Sequence, residues 1–483
     1  MLGDMVPFQM AGNLYFVGEY HASSHMIDTG DGLILIDGGY EKTADIVVEN
    51  LETLGYSIKD VKYILISHGH GDHSDAVPKL KALSGATTFM AEEDVKYLKG
   101  FVPDVFLKDG DVISLGNTEI TCLKTPGHTE GTFSFFWNLE EDGKTYRAGM
   151  FGGAGTKQLS KAYMNTRRPE ANIPYSMRGA FFESVARLRK EHVDLFVGNH
   201  CWNNQTRQKQ EQKLTAKENP FLDASHWGKF LKEVEEKLEQ EMQLESRTGF
   251  INYAHRGASE YLPENTMLAF YTGVYMCANG IETDVHLTKD GIPMLFHDDT
   301  LERVTGEEGS IESHTYEELM AFDVKKDGFH DKIPTLEDFL AKFSHQDVHL
   351  AIELKGPDAE EKVADMIRAY GLGKDRVTVT SFRLDFLKKF KAYAPEMRVG
   401  FLTSNITDEL LEDMKACGID ELCPKAPMVT EEKVNEWHRM GFNVRAWGVA
   451  DEALMKQVYD AGADGMTVNF PDKLTAYIKE KTE

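Results

Sequence analysis

The chain has 483 residues, of which 41% are hydrophobic and 27% charged, a composition typical of a folded protein with about two to four domains. Its 53 basic and 79 acidic residues give a net charge of −26 at pH 7. So acidic a chain excludes nucleic acid and anionic membranes as main partners, because both require basic patches, but a small anionic substrate held by a bound cation stays compatible.

Cysteine usage and hydropathy place the chain in a reducing compartment. Five scattered cysteines make no disulfide framework, and the first residues lack the basic start and apolar core of a signal peptide, so we expect a cytoplasmic protein. The longest uncharged run, 265–281, is shorter than the ~20 apolar residues of a membrane helix. We therefore expect no membrane span and interpret this run as a buried helix. The sequence leaves homo-oligomerisation open.

The first half alternates strand-like and helix-like segments. Apolar runs predict strands at 33–37, 63–67, 119–125, 131–139 and 194–199, and amphipathic patterns predict helices at 41–54 and 178–190. From 205 to 247 the chain becomes polar and helical. We therefore place the domain boundary there and expect domains at 1–247 and 248–483.

The second half has a regular strand–helix alternation. Strand-like segments lie near 250–255, 280–284, 349–354, 377–382, 398–403, 420–424, 443–449 and 465–470. Eight such units in this length predict a (β/α)8 TIM barrel, which typically takes ~250 residues. The segment 298–348 is longer than a simple crossover and is expected to hold a small insertion.

A histidine-rich loop, SHGHGDHSDA, follows the strand predicted at 63–67. It holds three histidines and one aspartate within six residues: His68, His70, Asp72 and His73. Imidazole nitrogen and carboxylate oxygen are ligands that zinc prefers, and the interspersed glycines let the loop aim these side chains at one point. The loop therefore predicts a zinc site.

This loop resembles the HxHxDH motif of the metallo-β-lactamase superfamily. TPGHTEG (125–131) and GNHCW (198–202) resemble the segments that carry the family's next ligands, here His128 and His200. The resemblance covers roughly residues 1–245 and implies an αββα sandwich with two ligand sets. It implies that His68, His70 and His128 hold one zinc. It implies that Asp72, His73 and His200 hold a second, with Asp72 also orienting the nucleophile.

One departure affects the expected number of zinc ions. Many members of that family place a metal-bridging Asp where this chain has Met150, and a thioether is a poor bridge between hard dications. We therefore expect one or two zinc ions. The bound water would attack an ester, amide, lactone or phosphoester, and the ligands alone do not decide which.

In the second half, pairs of polar residues stand at the predicted ends of three strands, which is the catalytic face of a barrel. They are His255 and Arg256, Glu282 and Asp284, and Glu353 and Lys355. Asp290-Gly291 is a strong two-residue hairpin signal and predicts a register in which His297 lies directly across from Asp284. Three carboxylates suit Mg²⁺ or Ca²⁺, and two histidines beside them suit general acid–base chemistry.

The segments HRG, PENT, IETDV, TKDG, HD and IELK occur here in the order of the glycerophosphodiester phosphodiesterase family. This resemblance covers about 248–483 and implies hydrolysis of glycerophosphodiesters to glycerol 3-phosphate and an alcohol. It implies acid–base roles for His255 and His297, and metal binding by Glu282, Asp284 and Glu353. The remaining implied residues contact or support the substrate: Arg256, Lys355, Glu264, Asn265 and Trp447. A departure is Val468-Asn469, where the family usually has Thr-Asp.

Three hypotheses follow. The first is a hydrolase with two metal centres that acts on small phosphodiester and ester-type substrates. The second has the two halves act in succession, the first removing an acyl group and the second cleaving the resulting diester. The third is that the first domain is a non-catalytic metal-binding or interaction module serving an active barrel, and Met150 is its only support.

Overall fold

The computed structural model describes residues 5–164, 174 and 176–482. Contacts divide the chain into two compact units, one that ends at Gln240 and one that begins at Glu241. The predicted boundary at 247 falls in the helix Ala224–Thr248 and stays a prediction. None of the described helices is long and apolar enough to cross a membrane.

The first unit contains two sheets. Its strands are β1 (Phe8–Ala11), β2 (Leu14–Phe16), β3 (His25–Asp28), β4 (Leu33–Ile36), β5 (Val61–Leu65), β6 (Thr87–Met90), β7 (Val105–Phe106), β8 (Asp111–Leu115), β9 (Thr118–Lys124), β10 (Phe133–Glu141), β11 (Lys144–Met150) and β12 (Leu195–Val197). Its helices are α1 (Ala44–Thr53), α2 (Gly71–Ser74), α3 (Val77–Ser84), α4 (Lys161–Met164), α5 (Ser176–Leu188), α6 (Thr206–Lys213) and α7 (Ala224–Thr248).

These elements form an αββα sandwich, as predicted. Strands β1 to β7 form one sheet in sequence order, and the order β12-β11-β10-β9-β8 forms the other. Strand β4 is buried on both faces: Ile34 and Ile36 pack in the core that contains residues of both sheets, and Leu33 and Leu35 pack with residues of α1 and α3. This double burial explains the uninterrupted apolar run in the sequence.

The second unit has the eight predicted barrel strands and a small addition. Its strands are β13 (Ile251–His255), β14 (Gly280–Leu287), β15 (Pro293–Leu295), β16 (Asp323–Lys326), β17 (Phe329–Lys332), β18 (His349–Leu354), β19 (Val377–Ser381), β20 (Arg398–Thr403), β21 (Glu421–Pro424), β22 (Asn443–Ala446) and β23 (Gly465–Val468). Its helices are α8 (Met267–Tyr275), α9 (Glu302–Thr305), α10 (Tyr316–Leu319), α11 (Leu336–Phe343), α12 (Glu360–Ala369), α13 (Leu384–Tyr393), α14 (Asp408–Ala416), α15 (Glu431–Arg439), α16 (Glu452–Asp460) and α17 (Pro471–Thr482).

The barrel is closed and parallel. The strand order is β13-β23-β22-β21-β20-β19-β18-β14, and β13 also pairs with β14, so the first and last strands of the sequence are neighbours. The segment after β15 contains the β16–β17 hairpin and packs Leu301, Val304, Ile311 and Leu319 into a small core of its own. This small core is consistent with the insertion predicted for 298–348.

Two details of the sequence interpretation were wrong. The run at 265–281 contains α8 and the start of β14, but only one face of this helix is buried, and Tyr275 on the other face is 88% exposed. The hairpin register is shifted by one residue, so that Asp284 lies opposite Phe296 and not His297. The cause is a three-residue loop closed by the pair Thr288 and Ile292, with Gly291 in the left-handed region at φ +79°.

Candidate metal centres

The end of β5 and the start of α2 bring the histidine-rich loop of the first unit to the edge of its sheet. Nitrogens of His68, His70 and His128 lie within 4.8 Å of one another, and so do ligand atoms of His68, Asp72 and His73. His200 approaches Asp72, with 3.7 Å between Nε2 and Oδ2. The structure therefore brings all six predicted ligands of the first domain together.

Buried nitrogens without partners test whether this set fits a metal. Nε2 of His68 and Nε2 of His73 are buried and have no hydrogen-bond partner. A buried polar atom left in this state costs free energy, and an ion at the centre of the cluster would remove that cost. The nitrogen-rich donor set with one carboxylate fits zinc.

The far side of three of the rings is held by a fixed acceptor. His73 Nδ1 donates to Asp37 at 2.8 Å, His128 Nδ1 to the carbonyl of Gly155 at 2.8 Å, and His200 Nδ1 to the carbonyl of His21 at 2.6 Å. These bonds place the proton on Nδ1 and direct Nε2 towards the cluster.

The pKa values of these histidines follow from burial and neighbours. Burial lowers the pKa of His70 to about 4 and that of His128 to about 3, and it holds the pKa of His68 well below its usual range. These rings are neutral at pH 7, the form that binds a metal. Burial also opposes charge on His73, but Asp37 and Asp72 outweigh it and raise the pKa of His73 to about 10.

The second unit places its polar residues at the carboxyl ends of β13, β14 and β18. The register aligns His255 with Glu282, and Asp284 with Glu353. Carboxylate oxygens of Glu282, Asp284 and Glu353 lie within 4.8 Å of one another, and all three side chains are buried.

These three carboxylates suit a hard divalent cation. Burial and the neighbouring charge of Asp284 raise the pKa of Glu353 to about 8, and the same causes raise the pKa of Glu282 well above its usual range. Arg256 overcomes the effect of burial at Asp284 and lowers its pKa. Two carboxylates thus favour protonation unless a cation stabilises their charge, and an all-oxygen set fits Mg²⁺ or Ca²⁺.

Cationic side chains border this cluster. Arg256, with φ +54°, donates from Nη1 to Glu264 at 2.9 Å, and its Nε lies 3.4 Å from Asp284. Asn265 donates to Asp284 at 2.9 Å. Lys355 Nζ lies 3.2 Å from Glu353. Arg256, Asn265 and Lys355, three of the predicted substrate-binding and supporting residues, are therefore next to the carboxylates.

The two histidines of the barrel have different surroundings. His255 Nδ1 donates to the amide oxygen of Asn469 at 2.6 Å, and its Nε2 lies 3.9 Å from Glu282. Burial and the charge of Arg256 lower the pKa of His255 to about 4. His297 Nδ1 bonds to Asp298 at 2.7 Å, and a ring nitrogen of His297 lies within 4.8 Å of a carboxylate oxygen of Glu264, which accepts from Arg256. His297 is thus near the cluster despite the wrong register.

Several contributing residues were absent from the predicted set. Asp37 accepts from the backbone and hydroxyl of Ser67 as well as from His73, and it ends the apolar run LILID, which is a detectable signal. Arg303 contacts both Asp298 and Glu264. These bonds explain why Glu264, His297 and Asp298, which also lie close together, are better described as an ion-pair network than as a metal site.

The structure also places Met150 and Trp447, two further residues that the sequence analysis singled out. Met150 is fully buried in the core shared by the two sheets of the first unit. Trp447 follows β22, and its indole Nε1 donates to the carbonyl of Thr403 at 3.3 Å. The ring of Trp447 contacts Phe382, with ring centroids 4.8 Å apart.

Both halves of the chain are similar to known protein families. The model of the glycerophosphoryl diester phosphodiesterase family matches residues 255–473. The glycerophosphodiester phosphodiesterase of Bacillus altitudinis is 34% identical over 234 residues, which cover 46% of this chain and 95% of that protein. The chain belongs to the glycerophosphodiester phosphodiesterase family. The uncharacterized protein YqiK of Bacillus subtilis is 36% identical over 245 residues, 47% of this chain and 98% of that protein.

Part of the first half of this glycerophosphodiester phosphodiesterase family member matches a second family model. The model of the metallo-beta-lactamase superfamily matches residues 17–141. The native FEZ-1 metallo-beta-lactamase from Legionella gormanii has 27% identity and a TM-score of 0.47, covering 50% of this chain and 98% of that chain. The similarity to glycerophosphodiester phosphodiesterases shows that the chain is a hydrolase.

Proposed function

We propose that the chain is a metal-dependent hydrolase with two centres, in domains 1–247 and 248–483. The barrel hydrolyses glycerophosphodiesters to glycerol 3-phosphate and an alcohol. The observation that carries this assignment is the buried cluster of Glu282, Asp284 and Glu353 beside His255 and Arg256, at the carboxyl ends of the strands.

The residues of the barrel suggest how the reaction proceeds. Mg²⁺ or Ca²⁺ on the three carboxylates would neutralise charge on the phosphate oxygens. Arg256 and Lys355 bind the same group, and Glu264 and Asn265 hold the surrounding side chains. His255, whose lowered pKa keeps it neutral at pH 7, removes the proton of the glycerol hydroxyl that attacks phosphorus. His297 protonates the departing alcohol, and water then opens the cyclic phosphate.

Release of glycerol 3-phosphate from glycerophosphodiesters with Mg²⁺ or Ca²⁺ tests this function. We expect His255→Ala and Glu282→Ala each to lower kcat/KM by about 10²-fold or more, since one loses the base and the other a metal ligand. His345→Ala, an exposed histidine of the same domain, is the matched control and should retain activity. Wild-type rates in both site variants would contradict the assignment.

We also propose that domain 1–247 is a zinc-dependent hydrolase that binds one or two zinc ions. Its support is the two clusters of ligand atoms, with buried Nε2 atoms of His68 and His73 that have no hydrogen-bond partner, and its substrate is an ester, amide, lactone or phosphoester. The alternative, a non-catalytic metal-binding or interaction module, is favoured by Met150, which belongs to the core. Zinc analysis of the full chain with a substrate panel distinguishes them: bound zinc with turnover that His70→Ala abolishes excludes the module.

A further inference from the structure

The two sides of the barrel mouth differ in the residues that follow their strands. The carboxylates near the proposed reaction centre lie on one side, on or near β13, β14 and β18: Glu264, Glu282, Asp284, Asp298 and Glu353. The residues that directly follow β19, β20, β21 and β22 are Phe382, Ser404, Lys425 and Trp447. On this second side of the mouth, two of these four residues are aromatic, one is a lysine and none is acidic.

The aromatic part of this second side is a fixed pair of rings. Phe382 and Trp447 meet edge to face, with centroids 4.8 Å apart and an interplanar angle of 90°. Phe382 is 43% exposed, and the hydrogen bond from Trp447 to Thr403 fixes the indole. Such a pair offers carbon-bound hydrogens of a ligand an apolar surface at little cost in conformational entropy.

Both rings already have a cation beside them. Lys425 Nζ lies over the ring of Trp447 at 5.8 Å from the centroid, and Lys355 Nζ lies over the ring of Phe382 at 6.0 Å. A cation is attracted to an aromatic face. A positively charged group of a substrate, however, would be repelled by the lysine ammonium that already lies beside each ring. The pair is therefore unsuited to a substrate ammonium.

We propose that Phe382, Trp447 and Lys425 bind the alcohol group of the diester and select alcohols that are uncharged polyols or anions over those that carry an ammonium or quaternary ammonium. Lys355 links this surface to the reaction centre, because it contacts both Glu353 and the ring of Phe382. A diester whose phosphate is bound at Lys355 thus reaches the aromatic pair with one arm. This inference rests on the phosphodiesterase function proposed for the barrel.

The experiment compares kcat/KM for glycerophosphoglycerol and glycerophosphocholine in the full chain with Mg²⁺ or Ca²⁺. We expect wild type to prefer glycerophosphoglycerol by about fivefold or more, the size of one like-charge interaction partly screened by water. Lys425→Glu should shift the ratio towards the choline diester by about tenfold, and Lys425→Met, which keeps the aliphatic chain, by less. Lys433→Glu on α15, an exposed lysine paired with Glu436, carries the same change of charge as a control.

The outcomes separate this inference from the assignment of the barrel. Turnover with the same ratio in wild type, Lys425→Glu and Lys433→Glu would overturn the selectivity and leave the phosphodiesterase intact. A wild-type preference for the choline diester would also overturn it. If neither diester is hydrolysed, the function proposed for the barrel is contradicted, and the inferred selectivity fails with it.

Discussion

The ring of His255 is oriented by an amide and not by a carboxylate. Asn469 Oδ1 accepts from His255 Nδ1 at 2.6 Å and also from the hydroxyl of Ser259 at 3.1 Å. An acceptor at this position fixes the tautomer with a bare Nε2, which is the nitrogen that faces Glu282. Because the acceptor is neutral, it orients the ring without adding a negative charge that would stabilise the imidazolium.

Asn469→Leu should therefore impair the diesterase through the orientation of His255. We expect kcat to fall by about 10- to 100-fold with a smaller change in KM, since the phosphate contacts that we propose for Arg256 and Lys355 would remain. Asn469→Asp restores an acceptor and should recover most of the activity. Steady-state kinetics measures both variants. Equal losses of activity in Asn469→Leu and Asn469→Asp would contradict a role for the hydrogen-bond acceptor at this position.

At the scale of single residues, the sequence predicted the candidate metal ligands but not the residues that hold the site residues in place. His68 to His73 are close in sequence, so their density alone predicted the site. Asp94, which joins two ligand-bearing segments, was missed because its partners lie 25 to 37 residues away. The role of Asn469 depends on a residue in another strand, and no local pattern connects the two.

At the scale of elements, the short 3₁₀ segment Glu92–Tyr97 connects the two loops that carry candidate ligands of the first centre. Asp94 accepts from the backbone of Gly69 at 2.8 Å, from the hydroxyl of Thr129 at 2.7 Å and from the backbone of Gly131 at 2.8 Å. Gly69 lies between His68 and His70, and Thr129 follows His128. One buried carboxylate thus sets the distance between the ligands that we assign to the first zinc.

Asp94→Ala should weaken zinc binding although it removes no ligand. We expect the affinity of the first site to fall by about 10- to 100-fold, the usual effect of losing a residue that holds metal ligands in place. Competition against a chromogenic zinc chelator measures the change. Glu92→Ala, in the same segment but exposed, is the control, and an equal loss in both variants would contradict the role of Asp94.

The barrel strands were predictable as elements because parallel strands covered by helices give continuous apolar runs. The β14–β15 register was not, because the signal Asp290-Gly291 suits loops of two or three residues and only the Thr288 side chain selects the longer one. It accepts from the backbone of Ile292 and donates to Asp290. Strand β7 was missed since two half-exposed residues carry no periodicity.

At the scale of the whole molecule, the two centres draw on separate residues. The ligands assigned to zinc lie between His68 and His200, and the barrel site begins at His255. Length and composition predicted more than one domain, and the motifs divided the chain. Net charge was less informative, because it excluded polyanionic partners without revealing the cations next to the barrel carboxylates.

Loss of one centre should therefore leave the other intact. We expect His128→Ala to lower the zinc content of the full chain while the rate of glycerophosphodiester hydrolysis stays within about twofold of wild type, since no ligand is shared. Glu282→Ala should give the reverse result. Metal analysis and the glycerol 3-phosphate assay on the same preparations measure both. A parallel loss of both properties in His128→Ala would contradict independence.

The bond between His255 and Asn469 joins residues 214 positions apart, the last residue of the first barrel strand and the residue that directly follows the last strand. During synthesis the amino-terminal part of a chain emerges and folds first. All residues that we assign to zinc are synthesised once His200 has been added, whereas His255, the proposed base of the diesterase, gains its orienting partner only when β23 has emerged and closed the barrel. A nascent or truncated chain would therefore assemble the zinc centre early and would have no working diesterase until the barrel is complete.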